Sequence, residues 1–378
     1  MPKYRFEDIA FNITQKRKPT SDDMKTYIGL EHLDSGSLSV TRWGSNVPIK
    51  GDKLIMQKGD ILFGKRNAYL RRAAIAPHDG LFSAHGMILR PNEKVISRKF
   101  FPFFISSDYF FDAAIRISVG SLSPTINWSA LKELEFMLPD MNEQEKLADL
   151  LWAANNTKEA YKKLLYLTDE LVKSQFIEMF GDPVDNPKGW IKAPLGECAE
   201  TRLGKMLDAK KQTGEFQYPY LANYNVQWFR FDLTNLNKMD FNDKDRIEFA
   251  LQKGDLLVCE GGEVGRTAIW NEEIKECYFQ KALHRIRCNP EKLVPEFLAY
   301  MFFLRANING FQDIVGKSTI PHLTGVKLKK LEVILPAISL QNKFANFVQQ
   351  ADKSKFELKR NIDNLEIAIK TLNVEVFG

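Results

Sequence analysis

Eight consecutive residues, 65 to 72, concentrate positive charge in a way that suits contact with a polyanion. The segment contains four cations and no acid. Lysine and arginine neutralise phosphates, and arginine and asparagine can form paired hydrogen bonds with guanine and adenine edges. A solvated basic loop is the alternative, but the segment directly follows the strand-like run 59–63. The residues predicted to contact DNA here are Lys65, Arg66, Asn67, Tyr69, Arg71 and Arg72.

A second candidate lies in the other half of the chain, where cations precede the run 217–228, which is rich in aromatic and amide side chains. Such side chains suit contacts in a DNA groove, and they equally suit the core of a β-hairpin. Both interpretations stay open. The candidates from this half are Arg202, Lys205, Lys210, Lys211, Asn223, Asn225 and Arg266.

Two polar turns, each placed before a proline, add phosphate-contact candidates: Ser121 in the first, and Lys317 and Ser318 in the second. The second turn resembles the end of a nucleotide-binding P-loop. That motif requires a glycine at position 311, where Phe311 stands. The equivalent first turn contains no lysine. We therefore interpret both as polar turns rather than as an ATP site.

Residue types that carry catalysis are scattered along the chain. The five histidines form no zinc-binding pattern, and no two of the four cysteines have the spacing of a metal site. No nucleophile elbow of the form G-x-S-x-G occurs. We therefore predict a binding protein without catalytic residues, without a metal and without a cofactor of its own.

Composition limits the class of protein further. Of 378 residues, 44% are hydrophobic and 27% are charged, which is typical of globular domains. No stretch is apolar enough to cross a membrane, and the N-terminus has no signal-peptide pattern. We expect a cytoplasmic protein. The net charge of +5 is compatible with a polyanion partner but does not identify one.

The sequence contains an internal duplication. The hexapeptide 57–62 returns as 252–257, the nonapeptide 131–139 returns as 328–336, and Phe180-Gly181 returns as Phe377-Gly378. The later matches are offset by 197 residues, which is far too long for a solenoid repeat and indicates two copies of one domain. Residues between the matching blocks diverge. Two similar scaffolds with different surfaces can recognise two different things.

Each copy ends in a long predicted helix. The stretch 142–180 has no proline or glycine, Asn142 is its predicted N-cap, and Gly181 stops it. Its apolar stripe is predicted to be widened by Leu150, Leu164 and Leu171. The second helix follows a heptad pattern from Val348 to Val376, with Lys355 as the polar exception and Lys158 at the equivalent place in the first. A helix of about 38 residues spans roughly 55–60 Å, so we expect the two to pair.

These elements predict an α+β fold: two similar α/β recognition domains separated by two long helices that pack as an antiparallel coiled coil. A single helix is expected over Phe100–Arg116 and another over Pro295–Asn309. The predicted bounds are 1–140 for the first domain, 141–181 for the central helix, 182–337 for the second domain and 338–378 for the C-terminal helix.

The order of these motifs resembles a known family. Each variable domain has a Gly-Asp-(Ile/Leu)-Leu strand and closes with Leu-Pro followed five residues later by Gln. A Met179-Phe180-Gly181-Asp182-Pro183 hinge lies in the centre. This arrangement resembles the specificity subunit of type I restriction–modification systems over essentially the whole chain.

The resemblance implies that each globular domain is a target recognition domain that reads one half of a bipartite DNA sequence. It implies that the helices set the spacing and that the subunit is not catalytic. The implied partners are double-stranded DNA, two methyltransferase subunits that use S-adenosylmethionine, and motor–nuclease subunits that use ATP and Mg. Because the two copies differ, the target is expected to be asymmetric.

Three alternatives stay open at this point. One is a two-domain DNA-recognition adaptor of another DNA-modification or phage-defence complex. Another is a nucleotide-dependent enzyme that uses Lys317 and Ser318. The third is a coiled-coil scaffold whose basic loops are incidental.

Overall fold

The computed structural model describes residues 1–208, 212–308, 310–311 and 322–377. The chain forms two compact units. The first consists of Met1–Lys162 together with Lys359–Gly378, and the second is Lys163–Leu358. Each long helix therefore contributes one half to each unit. No helix in the described ranges has the length and apolar character that a membrane span needs.

The first unit contains three small sheets in which all neighbouring strands are antiparallel. The four-stranded sheet has the order Ala10–Ile13, Met87–Pro91, Ile61–Phe63, Ala73–Ile75. The three-stranded sheet has the order Lys16–Arg17, Lys53–Met56, Gly80–Phe82. A ribbon joins Lys3–Arg5 to Glu135–Met137.

The second unit repeats this plan in part. Its four-stranded sheet has the order Ala199–Leu203, Leu283–Cys288, Leu256–Cys259, Thr267–Ile269. Its three-stranded sheet has the order Asn237–Asp240, Gln217–Leu221, Tyr278–Phe279. Two ribbons join Lys192–Pro194 to Glu332–Ile334 and Val226–Gln227 to Arg230–Phe231. The sequence duplication is thus a duplication of the four-stranded sheet. The three-stranded sheets differ, because Gln217–Leu221 lies in the middle of its sheet and pairs in parallel with Tyr278–Phe279.

The helices of both units are mostly short. The two long ones, here called the central helix and the C-terminal helix, are Met141–Phe180 and Ile338–Phe377. The other α-helices of the described residues are Phe6–Ile9, Phe101–Ser106, Asp108–Arg116, Trp128–Leu131, Leu195–Cys198, Asp243–Glu248, Pro295–Asn307 and Gly325–Lys330. Short 3-10 turns lie at Asp22–Lys25, Leu30–His32, Ala68–Leu70 and Asn223–Asn225.

A buried aspartate explains why the Gly-Asp motif occurs in both copies. The Asp60 carboxylate accepts the backbone N–H of Gln57 at 2.8 Å and a paired contact from Arg90 at 2.8 and 3.0 Å. Asp255 makes the same contacts with Gln252 and Arg287, at 2.7 Å each. The motif therefore closes a turn and ties neighbouring strands together, which is a structural role.

A buried glutamine explains the second repeated motif. The Gln144 side chain accepts the Ser97 N–H at 2.7 Å and donates to the backbone oxygens of Val95 and Pro139 at 3.1 and 3.0 Å. In the second unit, Gln341 bonds to Val294, Lys292 and Pro336 in the same way. Each long helix is thereby fastened at its first turn to the domain that precedes it.

The two long helices run antiparallel, as predicted. In the second unit, Phe176 of the central helix contacts Phe344, and Asp169 pairs with Lys355. A higher residue number in the central helix therefore faces a lower one in the C-terminal helix. In the first unit, the central-helix residue Leu151 and the C-terminal residue Val376 belong to one buried core. The heptad positions of the C-terminal helix are buried or half-buried throughout, from Val348 to Val376.

Three local expectations were wrong. The cap of the central helix is Asp140, whose carboxylate accepts the Glu143 N–H at 2.9 Å, because the helix begins one residue earlier than Asn142. Leu150, Leu164 and Leu171 are exposed, so they do not widen the buried stripe. The expected helix over residues 100–116 is interrupted at Ser107, whose extended backbone and side chain cap the following helix.

Candidate nucleic-acid interface

The basic segment 65–72 forms a closed loop in the first unit. It leaves the strand Ile61–Phe63, and the Gly64 N–H donates to the Arg72 carbonyl at 2.8 Å, which brings its ends together. Asn67 and Arg71 adopt the left-handed backbone conformation, with φ of 53° and 46°. Asparagine tolerates this conformation better than most residues. The loop is thus a compact turn rather than an extended arm.

The polar turn around Ser121 packs against this loop. The Ile126 N–H donates to the Lys65 carbonyl at 3.0 Å, and the Ala68 N–H donates to the Pro124 carbonyl at 3.2 Å. The Ser123 hydroxyl donates to the Asn67 side-chain oxygen at 3.0 Å. Two candidate segments whose contacting residues Asn67 and Ser123 are 56 residues apart in sequence therefore form one surface, on which Ser121 and Tyr69 are exposed.

Further basic residues join Lys65 and Arg66 from neighbouring elements. Burial and then repulsion from Lys16 lower the pKa of Lys65. Burial, followed by repulsion from Arg66, Lys65 and Lys53, lowers the pKa of His85, whose Nδ1 lies 3.5 Å from Arg66 Nη1. We name this group the basic cluster: Lys16, Lys53, Lys65, Arg66 and His85.

Mutual repulsion within the basic cluster is the electrostatic condition that a phosphate would relieve. Sequence reasoning missed Lys16, Lys53 and His85 because they lie outside the run of charges. Lys16 and Lys53 come from paired strands. The sequence contains one signal for Lys16, the basic run Lys16-Arg17-Lys18, but such a run does not specify a surface.

The last two cations of the basic segment point to partners within the domain. The Arg71 guanidinium forms ion pairs with Asp108 and Asp112. Arg72 donates to the backbone oxygens of Leu30 at 2.9 Å and Arg66 at 3.4 Å. Both side chains hold the loop in place, and their charge is less available to a phosphate than that of Arg66.

In the second unit, the equivalent loop carries a different surface. The Arg266 guanidinium donates to the backbone and side-chain oxygens of Asn223 at 3.0 and 2.9 Å, and approaches Glu263 at 3.3 Å. The Asn223 side chain donates in turn to the Gly261 carbonyl at 2.9 Å. Where the first unit concentrates cations, the second unit builds a neutralised hydrogen-bond network.

The remaining described candidates of the second unit are also engaged internally. Asn225 is buried, and its amide bonds to Ala222, Asp232 and Asn235, so the geometry gives it a structural role and removes it from the surface. The remaining two are basic: Lys205 pairs with Asp245 at 2.6 Å, and Arg202 pairs with Glu248.

Four predicted residues, Lys210, Lys211, Lys317 and Ser318, lie outside the described residues. In the part of the chain that is described, no three histidine, cysteine, aspartate or glutamate side chains come together as metal ligands would. The geometry of the described surface therefore supports binding through charge and hydrogen bonds.

Comparison with known proteins gives the family. The family model "Type I restriction modification DNA specificity domain" matches the chain twice, over residues 3–165 and 187–366. A Methanocaldococcus jannaschii protein assigned as the specificity subunit of type I restriction enzyme MjaX is 23% identical over 355 residues, which cover 88% of this chain and 81% of that protein. The MjaIX specificity subunit of the same organism is 30% identical over 253 residues, 54% of this chain and 57% of that subunit.

Solved structures show the same fold. A chain from a study of complex assembly and conformational transition of the type I R-M system has a TM-score of 0.60 at 18% identity, covering 100% of this chain and 97% of that chain. The type I restriction–modification S subunit of M. genitalium has a TM-score of 0.58 at 15% identity, covering 100% and 96%. This chain belongs to the type I restriction–modification DNA specificity family and is a specificity subunit with two tandem recognition domains.

Proposed function

We propose that each recognition domain reads one half of an asymmetric, bipartite DNA target, and that the chain itself catalyses no reaction. The observation that carries this proposal is the contrast between the two units. Their four-stranded sheets have the same strand order, yet the basic cluster of the first unit is replaced by the Arg266 network in the second. Two unlike surfaces on the same frame favour two unlike half-sites over a palindrome.

The basic cluster supplies phosphate contacts in the first domain. Its basic residues are drawn from two strands and two loops. Repulsion among them is relieved when they neutralise DNA phosphates, which also releases the counterions condensed on the DNA. Arg66 and Asn67 lie on the exposed and half-exposed part of the loop, where Arg66 could reach a guanine edge. Contacts to phosphates position a domain, and contacts to base edges give it specificity.

The long helices are proposed to dock methyltransferase subunits as well as to set the spacing. In the second unit, Leu164, Leu167 and Leu171 of the central helix are exposed to 48%, 47% and 54%. Their 3–4 spacing forms a second apolar seam beside the buried one, which is the pattern that receives a partner helix. Two methyltransferase subunits would bring S-adenosylmethionine, and motor–nuclease subunits would bring ATP and Mg.

The test is a double substitution of Lys65 and Arg66 by alanine, assayed in the complex with the methyltransferase subunit. We expect affinity for one half-site to fall, and the slope of log K against log salt to decrease by about 2, because two phosphate contacts are removed. Binding is measured on targets in which one half-site at a time is scrambled. Lys94→Ala, an exposed cation of the same domain, is the control.

If the two recognition domains read DNA independently, the double variant should recognise the other half-site as well as the wild type does. An equal loss of discrimination at both half-sites would contradict it. An unchanged salt slope would remove the basic cluster from the interface.

A further inference from the structure

A groove of about 910 Å³ opens in the first unit between its recognition domain and the paired long helices. Its walls include Ser106 and Asp112 of the domain, Lys158 and Lys162 of the central helix, and Glu366 of the C-terminal helix. Lys158 lines the groove, and its side chain is only 7% exposed. Charged side chains buried to this degree normally have a hydrogen-bonded partner of opposite charge.

The duplication shows what that partner should be. At the offset of 197 residues, Lys158 corresponds to Lys355 and Asn155 corresponds to Asp352. The Lys355 ammonium lies 2.7 Å from Asp352 and 3.1 Å from Asp169. Burial alone would lower the pKa of Lys355, but hydrogen bonds and attraction from these two carboxylates raise it.

In the first unit this arrangement lacks one carboxylate. Asn155 replaces the aspartate, and the carboxylate that approaches Lys158 is Glu366, at 3.9 Å, beyond hydrogen-bonding distance. Glu366 is also shared with Lys162, at 3.9 Å. Burial, followed by repulsion from Lys162, lowers the pKa of Lys158, and Glu366 and Glu159 offset this only in part.

Other acids of the groove are held by other cations. Asp108 and Asp112 pair with Arg71, Asp34 pairs with Arg42 at 2.6 Å, and Glu159 pairs with Lys162 at 3.2 Å. Lys158 is therefore the position in the groove where an added carboxylate would gain the most electrostatic stabilisation. The groove is large enough to admit a side chain and its backbone, since ligand pockets commonly measure about 300–1,000 Å³.

We propose that this groove receives an acidic side chain, aspartate or glutamate, from a protein segment of the methyltransferase partner, and that Lys158 is its anchor. This inference rests on the proposed function for the identity of the partner. The second unit carries its carboxylate, Asp352, within the chain and needs none from outside. The two units therefore present different docking surfaces, so the two methyltransferase subunits are held differently.

The first experiment uses the free full-length chain and tests whether a carboxylate is missing. Asn155→Asp should supply one three residues before Lys158, as Asp352 does for Lys355. We expect NMR titration of the labelled lysine side chains to show a raised pKa for Lys158, and the melting temperature to rise by about 2–4 °C. The reciprocal Asp352→Asn should lower the pKa of Lys355. If Asn155→Asp changes neither quantity, the inference is overturned.

The second experiment uses the complex. Lys158→Met should weaken one of the two methyltransferase binding steps at least about tenfold, the loss expected when a buried charge pair is broken, and Asn155→Asp should weaken the same step because the lysine is already satisfied. Lys146→Met, an exposed lysine on the same helix, is the control. Wild-type binding by both groove variants overturns the inference and leaves the DNA-reading proposal intact. A wild-type chain that binds no methyltransferase subunit overturns the proposed docking and this inference together.

Discussion

His284 is a buried titratable side chain of the second unit. It is buried beside the strand Leu256–Cys259, and its Nε2 lies 2.9 Å from the Leu323 carbonyl. Burial lowers its pKa below the ordinary value of 6.5, although Glu260 and the bond to Leu323 act in the opposite direction. The neutral ring, donating from Nε2, is the form that this site stabilises.

The sign of the pH effect follows from linkage. Because the pKa is lower in the folded chain, the unfolded chain binds more protons below pH 6.5. The contribution of His284 to stability is therefore complete above pH 6.5 and is lost as the pH falls toward the folded-state pKa. We expect His284→Gln, which keeps a donor for Leu323, to reduce the difference in unfolding free energy between pH 7.5 and pH 5.5, measured by urea denaturation.

The exposed His322 provides the matched control. His322→Gln should leave that difference as it is in the wild type. The same pH dependence in the wild type and in His284→Gln would show that other groups account for the acid sensitivity.

At the scale of elements, the attachment of each long helix to its domain depends on one glutamine. Gln341 makes three hydrogen bonds in a buried position, and Gln144 makes the equivalent three. Replacing Gln341 by alanine removes the partner of one N–H and two carbonyls, and two of these three bonds are fully buried. We expect Gln341→Ala to lower the free energy of unfolding by about 3 kcal/mol, since an unsatisfied buried group costs roughly 1–3 kcal/mol.

Chemical denaturation of the full-length chain, followed by tryptophan fluorescence, measures this loss. Gln350→Ala on the exposed face of the same helix should change stability by less than about 0.5 kcal/mol. Equal effects of the two substitutions would mean that the glutamine is not the fastening point. Because Gln144 is its counterpart, Gln144→Ala should destabilise the first unit by a similar amount.

At the scale of the whole molecule, the two helices are continuous through the boundary between the compact units, at Lys162–Lys163 and at Leu358–Lys359. A seven-residue insertion at both boundaries preserves the heptad register of both helices. It adds about 10 Å of helix at 1.5 Å per residue. We expect the preferred gap between DNA half-sites to lengthen by about three base pairs, given 3.4 Å per base pair.

Binding selection from a library of targets with variable gaps measures this change. Insertion of seven residues in the central helix alone should instead impair binding. It keeps the heptad pattern but displaces the central helix by one whole heptad relative to its partners on the C-terminal helix. An unchanged preferred gap after the paired insertion would show that the helices do not set the spacing.

Features that depend on neighbours along the chain were predictable. The duplication, the Gly-Asp strands, the heptad of the C-terminal helix and the stop at Gly181 follow from local composition and periodicity, which act over a few residues. Local signals also misled where two elements compete for one segment. Ser107 caps a new helix because its hydroxyl accepts the Phe110 N–H at 3.2 Å, which the amphipathic pattern over 100–116 did not reveal.

The sequence by itself determined that the chain has two unlike copies of one domain, each followed by a long helix. Only the tertiary structure decided which charges are free to act. It joined Lys16, Lys53 and His85 to Lys65 and Arg66, it engaged Arg71 and Arg266 in internal contacts, and it left Lys158 without the carboxylate that Lys355 has. The reason is that a charge is neutralised by whatever group lies within a few ångströms in space, and those groups come from distant parts of the chain.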